Sequence, residues 1–168
     1  MSYYEVIDNA IDEQYFLPLE SFLLSHVVPW NYCQDVSGHK KSVFPQMMFT
    51  YIIYSYTLGD HFVIVNDAYN LIRPVLSYLK PKSLIRIKAN MYPNQGCFHN
   101  HPDHVDYEFS HKSAILYLNN NDGFTVLHDG TKIESKRNRL LLFDGSKPHH
   151  STNCTDDWRR ININFNYF

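Results

Sequence analysis

Three side chains that could hold one metal ion occur in two separate segments of the sequence. His104 and Asp106 flank Val105, and much later in the chain His149 is followed by His150. Side chains two residues apart on a strand project to the same face, so His104 and Asp106 could bind one ion. A second strand could add the imidazole of His149 or of His150. Two histidines and one carboxylate form a facial triad that leaves coordination positions open, as in non-haem iron oxygenases.

A second segment, His101-Pro102-Asp103, has the same spacing of imidazole and carboxylate. Pro102 would remove a backbone donor where a strand is needed. Val105 favours a strand, and Tyr107 and Phe109 continue an alternation of side chains. The predicted metal motif is therefore His104-Val105-Asp106, on a strand covering residues 104–109.

The last ten residues, 159–168, alternate between polar and apolar side chains. Ile161, Ile163, Phe165 and Tyr167 would pack inward beneath a helical layer, which leaves a face of asparagines that begins with Arg160. The alternative is an edge strand with a wet polar face. An enclosed arginine offers a fixed fork of donors that suits a carboxylate.

The elements that must position these residues change character along the chain. Helical periodicity predicts helices at about residues 12–25 and 60–79, with Pro18 and Pro74 as points of disruption. In residues 30–56, β-branched and aromatic residues predict short strands joined by a loop near 35–42. From residue 83 onward, a period of two predicts strands at 83–92, 104–109, 113–118, 125–127, 131–134, 139–143 and 159–168. We expect a mainly β (α+β) domain, a sandwich or open barrel with helices packed on one sheet.

Bulk properties exclude several classes of protein. A chain of 168 residues predicts a single domain. The net charge of -2, with no basic stripe, gives no indication of a nucleic-acid surface. The three cysteines, Cys33, Cys97 and Cys154, show no paired spacing and favour a reducing compartment. Without a signal peptide or an apolar run of about 20 residues, no membrane association is expected, and the predicted location is cytoplasmic.

The ordered segments HVD, LYLN, LLLFDGSKPHH and RRININFNYF resemble the prolyl-4-hydroxylase-like branch of the 2-oxoglutarate/Fe(II)-dependent dioxygenases, including small forms of marine bacteria and phages. The resemblance covers residues 84–168, which would form the catalytic core. Residues 1–83 share only the helices that precede the barrel. The resemblance implies a double-stranded β-helix, a jelly-roll, cupin-like fold.

The resemblance also implies roles for individual residues. His104, Asp106 and His149 would bind Fe(II), with His150 as the alternative third ligand. A basic residue after the distal histidine would bind the far carboxylate of 2-oxoglutarate, which points to Arg160 or to its neighbour Arg159; we choose Arg160 because its face carries the asparagines. Tyr92 and Tyr117 would lie beside the co-substrate as hydroxyl donors. With molecular oxygen as the other co-substrate, the implied reaction is hydroxylation.

Other interpretations remain for the same residues. A non-catalytic, cupin-like barrel could use the histidines to hold a metal or ligand without turnover, and would give Arg160 no role. Alternatively, Cys97, His99, His101 and His104 could form a structural zinc cluster, although one cysteine with three histidines is atypical. The resemblance implies peptidyl proline as a substrate, but a shared fold does not transfer substrate identity. The predicted partner is therefore a peptide or a small molecule.

Overall fold

Two antiparallel sheets and two helices make up the part of the chain that the structure, a computed structural model, describes: residues 4–34, 47–57 and 62–168, without the side chains of 57 and 62–64. The loop expected near residues 35–42 lies outside these ranges. The strands are β1 (Tyr4–Ile7), β2 (Asn31–Cys33), β3 (Met48–Thr57), β4 (Phe62–Val65), β5 (Leu84–Pro93), β6 (Lys112–Tyr117), β7 (Phe124–Leu127), β8 (Lys132–Glu134), β9 (Leu140–Asp144), β10 (His149–Ser151) and β11 (Arg159–Tyr167). The helices are α1 (Glu13–Leu24) and α2 (Tyr69–Leu79).

The larger sheet has eight strands in the order β1-β9-β6-β11-β5-β3-β2, with β4 also paired to β3. The smaller sheet has the order β10-β7-β8. Strand β11 lies at the centre of the larger sheet, where Asn162 is opposite Asn90 of β5 on one side and Tyr117 of β6 on the other. This central position pairs both edges of β11 with neighbouring strands.

Helices α1 and α2 cover one face of the larger sheet. The Asp12 side chain accepts a hydrogen bond of 3.0 Å from the backbone nitrogen of Gln14 and so caps the start of α1. Phe16, Leu19 and Leu23 of α1 are fully buried in one cluster with apolar side chains of the larger sheet. The strand residues in that cluster include Ile161, Ile163 and Phe165 of β11. The prediction that this face of β11 packs beneath helices is confirmed.

The smaller sheet covers part of the opposite face. Ile115, Leu141 and Phe143 of the larger sheet form a second apolar cluster with Leu127 and Ile133 of β7 and β8. The polar face of β11 lies in the same layer, and Arg160, Asn162, Asn164 and Asn166 are at most 6% exposed. The enclosed polar face predicted from the alternation is therefore present.

Two sequence predictions about elements are wrong. The second helix begins at Tyr69 rather than near residue 60, because Phe62–Val65 forms strand β4. That segment is a run of β-branched residues after a phenylalanine, which favours a strand. Residues 104–109 form no strand: His104 makes one isolated bridge to His149, and the chain then bends. Strand β1 was not predicted, and β10 was expected only as a second strand of unspecified bounds carrying His149 or His150.

Two further features concern the cysteine side chains and the length of the helices. Cys33, Cys97 and Cys154 are all free thiols. Among the described residues, neither helix has the length and hydropathy needed to cross a bilayer.

Candidate metal centre

His104, Asp106 and His149 converge at the edge of the smaller sheet. Their ligand atoms all lie within 4.8 Å of one another, and they are the only such group of three among the residues described. Reciprocal backbone hydrogen bonds of 3.0 Å between His104 and His149 join the two chain segments. The pairing of these two residues therefore brings together ligands that are far apart in the sequence.

Both imidazoles are oriented by hydrogen bonds to backbone carbonyls. The Nδ1 atom of His104 lies 3.3 Å from the carbonyl oxygen of Pro102, and that of His149 lies 3.1 Å from the carbonyl oxygen of Lys147. A proton on each Nδ1 would donate to these carbonyls and leave each Nε2 with a lone pair for a metal. Burial, together with the nearby His149, lowers the pKa of His104, which favours the neutral, ligating form.

Asp106 is held by three donors from the larger sheet. Arg86 of β5 donates to Oδ1 over 2.8 Å, and the side-chain amides of Asn164 and Asn166 of β11 each donate to Oδ2 over 2.9 Å. Burial alone would raise the pKa of Asp106, but His149, Arg86 and the two amides outweigh it and hold the pKa well below its usual range. An ionised carboxylate has about four lone-pair sites, so one remains for a metal.

These contacts explain how the ligands meet without the predicted strand. The alternation argument placed His104 and Asp106 on one face of a strand, but the structure positions each by a different element. His104 is positioned by its bridge to β10, and Asp106 by side chains of β5 and β11. Sequence reasoning missed Arg86. The alternating pattern of β5, which put Arg86 on the same face as Tyr92, was the signal that could have identified it.

Alternative metal ligands lie outside this cluster. His150 directs its Nδ1 to the exposed carboxylate of Asp103, at 2.6 Å. His101 stacks on Tyr92, with ring centroids 5.2 Å apart, and its Nδ1 lies 2.9 Å from the Ser151 hydroxyl. The histidine and the aspartate of the rival motif therefore do not converge on one point.

Among the described residues, the four side chains of the alternative zinc site, Cys97, His99, His101 and His104, do not converge on one point. Cys97 and His99 make a contact of 3.2 Å between Sγ and Nε2. In the part of the chain that the structure describes, no third ligand completes this pair to a metal-binding group. His101 is instead buried, and burial, together with the neighbouring Arg160, lowers its pKa to about 3.

Arg160 is fully buried and donates to neutral oxygen atoms. Its Nε lies 2.6 Å from the Ser135 hydroxyl, Nη1 lies 3.1 Å from the Thr152 carbonyl, and Nη2 lies 3.1 Å from the Thr125 hydroxyl. Among the described residues Arg160 makes no ion pair with a carboxylate. Its neighbour Arg159 points the other way and donates to the carbonyl of Leu24 at the end of α1.

Both tyrosines predicted beside the co-substrate contact Arg160. Its guanidinium carbon lies 5.3 Å from the ring centre of Tyr92 and 5.6 Å from that of Tyr117. The Tyr117 hydroxyl donates to Thr125 over 2.8 Å. Burial raises the pKa of both phenols, so both remain protonated donors at neutral pH.

A narrow polar cavity of about 30 Å³ lies between the two sheets beside the metal ligands. Its lining residues are Met48, Lys88, Asn90, Tyr92, His104, Asp106, Ile115, Thr125, His149, Ser151, Asn162 and Asn164. Arg160 lies behind Tyr92 and Thr125. The space holds about two water molecules, so the binding of a dicarboxylic acid requires lining side chains to move.

No protein-family model and no curated protein sequence matches the chain. Solved structures do match in fold. An oxidoreductase of the 2OG-Fe(II) oxygenase family from Burkholderia pseudomallei has a TM-score of 0.72 at 12% identity, over 98% of this chain and 84% of that one. The fold is that of the 2OG-Fe(II) oxygenases. The expected double-stranded β-helix and the resemblance to these enzymes are confirmed at the level of fold.

Two further structures share the fold. A prolyl hydroxylase from Trichoplax adhaerens, in complex with a peptide fragment of the hypoxia inducible factor oxygen degradation domain, has a TM-score of 0.65 at 14% identity, over 100% of this chain and 84% of that one. HygX from Streptomyces hygroscopicus, with nickel and 2-oxoglutarate bound, has a TM-score of 0.62 at 10% identity, over 98% and 82% of the two chains. The likeness thus extends over nearly the whole chain and includes residues 1–83.

Proposed function

We propose that this chain is an Fe(II)- and 2-oxoglutarate-dependent dioxygenase that hydroxylates an unactivated C–H bond. In the overall reaction one oxygen atom of O₂ converts the substrate C–H to C–OH, and the other enters succinate as 2-oxoglutarate loses carbon dioxide. The proposal rests on one observation. A histidine-aspartate-histidine triad lies in the same layer as a buried arginine that has no carboxylate partner among the described residues.

The triad fits a ferrous ion. His104 and His149 would each supply Nε2, and Asp106 would supply one carboxylate oxygen. This donor set leaves positions open for co-substrates, which distinguishes it from a structural zinc site closed by four ligands. When bound, the metal supplies the activation of oxygen. Arg86, Asn164 and Asn166 hold the carboxylate ionised and fixed in orientation.

Arg160 would bind the far carboxylate of 2-oxoglutarate. A buried guanidinium without an anion is costly, and a carboxylate would satisfy it with two parallel hydrogen bonds. Tyr117 and Tyr92 contact this arginine and would donate their hydroxyl protons to the same carboxylate. Binding would require the hydroxyl of Thr125 to exchange its present partners for the ligand. The smaller sheet keeps bulk water away from this end of the site.

The remaining predictions concern substrate and location. The substrate is a peptide or a small molecule. The peptide in the Trichoplax adhaerens structure supports the first of these, and the net charge of -2 does not favour nucleic acid. The single domain over residues 1–168 stays a prediction. The three free cysteines support a cytoplasmic location.

The decisive experiment measures co-substrate binding and turnover separately. Without oxygen, adding Fe(II) and 2-oxoglutarate to the purified protein should produce a visible metal-to-ligand absorbance band. Admitting air should then yield succinate and carbon dioxide. His104→Ala and Asp106→Ala should lose both signals. His150→Ala is the matched control and should keep both, because His150 is directed to Asp103.

Three outcomes would contradict this assignment. If neither the absorbance band nor succinate forms with the wild-type protein, the dioxygenase proposal is wrong. Metal binding without any use of 2-oxoglutarate would favour a cupin-like binding protein instead. Loss of the band in His150→Ala but not in His149→Ala would transfer the third ligand to His150.

A further inference from the structure

Lys88 lines the cavity formed with the metal ligands and has no partner in the part of the chain that the structure describes. It lies in β5 directly opposite Asn164 of β11, on the face that also carries Asn90 and Tyr92. Among the described residues, its ammonium makes no hydrogen bond or ion pair, whereas the neighbouring Arg86 is occupied by Asp106 and Asn166. Burial, and then Arg86, lowers the pKa of Lys88 to about 8, whereas Asp106 raises it.

Unmatched acceptors lie in the same cavity wall. The Oδ1 atoms of Asn90 and Asn164 are buried and accept no hydrogen bond from any described residue, and the two residues are only 4% and 6% exposed. The amide of Asn164 cannot simply be turned over, because its Nδ2 donates to Asp106. Buried polar atoms are nearly always paired in folded proteins. As far as the described residues show, the wall therefore presents one free cation and at least one carbonyl oxygen that requires a donor.

The charges of the proposed site do not balance without a further anion. A divalent metal and Arg160 would be matched by Asp106 and a dianionic co-substrate. Arg86 and Lys88 are then in excess: Arg86 pairs with Asp106, and Lys88 lines the cavity. Arg86 is paired with Asp106 and does not line the cavity, so among the described residues Lys88 is the lining cation able to receive another negative group.

We infer that Lys88 is a specificity-determining residue that binds a carboxylate of the substrate. The inference rests on the proposed function and specifies its substrate class: molecules that carry a carboxylate together with an N–H or O–H donor for Asn164. Both a free acid, such as an amino acid, and an acidic side chain of a peptide offer this chemistry. A neutral peptidyl side chain does not.

The test compares matched ligands on protein loaded with Mn(II) and saturating 2-oxoglutarate, without oxygen so that no turnover occurs. The ligands are free L-amino acids against their amides, and N-acetyl-glutamate amide against N-acetyl-glutamine amide. Titration calorimetry should show that the acid of at least one pair binds about tenfold to a hundredfold more tightly than its neutral counterpart. The pair that shows this preference identifies the carboxylate as that of a free acid or of a peptide side chain.

Variants assign the preference to one side chain. Lys88→Met should remove it, and Lys88→Arg should retain it. Lys82→Met is the matched control and should leave it unchanged, because Lys82 is an exposed lysine just before β5. The dissociation constant of 2-oxoglutarate should stay within about twofold of wild type in Lys88→Met. In Arg160→Met the same constant should rise about tenfold or more.

Several results would overturn the inference. One is that acids bind no better than their neutral counterparts to the wild-type protein, or do not bind at all. Another is that Lys88→Met keeps the preference. If Lys88→Met weakens the binding of 2-oxoglutarate as strongly as Arg160→Met does, Lys88 binds the co-substrate and not the substrate. Failure of the proposed function would give a different result. The wild-type protein would not bind 2-oxoglutarate, although the Mn(II)-loaded protein would still bind acids more tightly than amides.

Discussion

At the scale of single residues, Arg160 distinguishes the proposed dioxygenase from a barrel that only binds a metal. Among the described residues it is the largest fully buried side chain, and neutral groups accept hydrogen bonds from three of its five N–H donors. Replacing it with Met should raise the dissociation constant of 2-oxoglutarate about tenfold to a hundredfold, because hydrogen bonds to a charged group contribute about 1.5–3 kcal/mol. Calorimetry with Mn(II)-loaded protein would measure this. Arg159→Met is the control, and an equal effect there would contradict the assignment.

His101 should make the stability of the protein sensitive to acid. Its pKa is lowered to about 3 by burial and by Arg160, so the folded protein keeps it neutral where an unfolded chain would protonate it near pH 6.5. The stabilisation of the folded protein by neutral His101 is therefore complete above pH 6.5 and is lost as the pH falls towards 3. Over that window, the unfolding free energy of the wild type should decline more steeply than that of His101→Gln, by up to about 1.4 kcal/mol per pH unit. Urea unfolding at several pH values would measure the difference, and parallel curves would refute it.

Residue types and spacing identified the groups that could do chemistry but not the surfaces around them. The alternation of β5 put Arg86, Lys88 and Asn90 on the same face as Tyr92, yet only Tyr92 was predicted to contact the co-substrate. A polar face that meets water and a polar face covered by another sheet have the same pattern in sequence. The difference depends on the smaller sheet, whose strand β10 has only three residues and leaves little periodicity to detect.

At the scale of elements, the turn between β6 and β7 controls the space around Arg160. A Cβ on Gly123 would lie 2.5 Å from Cδ of Arg160 and 2.6 Å from the carbonyl oxygen of Asn153. Gly123→Ala should therefore displace the arginine, reduce the unfolding free energy by about 1–3 kcal/mol and weaken 2-oxoglutarate binding. Denaturant unfolding and calorimetry would test the two effects.

Gly130 provides the control for that prediction. A Cβ there meets nothing within 4 Å, although its φ of +84° disfavours other residues. Gly130→Ala should reduce stability by about 1 kcal/mol and leave 2-oxoglutarate affinity unchanged. If Gly123→Ala destabilises the protein without any loss of affinity, the turn supports the fold alone.

Element prediction succeeded where periodicity was long and failed where it was short or ambiguous. Strands β5 and β11 follow a period of two over most of their length, and α1 has an aspartate cap before its apolar face. The segment Phe62–Val65 fitted both a helical and a strand pattern, and β-branching decided for the strand. Pro74, expected to kink or break the second helix, lies inside α2.

At the scale of the whole molecule, the first half of the chain completes the sheet that holds the site. Strand β3 pairs with β5 along most of its length, and β1 pairs with β9. The helices cover Ile87, Ala89, Ile161, Ile163 and Phe165, which lie behind the polar face that holds Asp106. The sequence resemblance was confined to residues 84–168, but apolar side chains from the described residues 4–34, 47–56 and 65–83 belong to the same core.

A fragment of residues 84–168 should therefore not fold, although it contains every proposed metal ligand. It would lose the partner of β5 on one side and expose the apolar face of β11 to water, at roughly 25 cal/mol for each Å² of apolar surface exposed. The exposed strand edge would also promote aggregation. Circular dichroism and hydrogen exchange should show an unfolded or aggregated fragment that binds no 2-oxoglutarate with Mn(II). The full chain under the same conditions is the control. A soluble fragment with slowly exchanging β5 and β11 amides would show that the helical layer is not required for the fold.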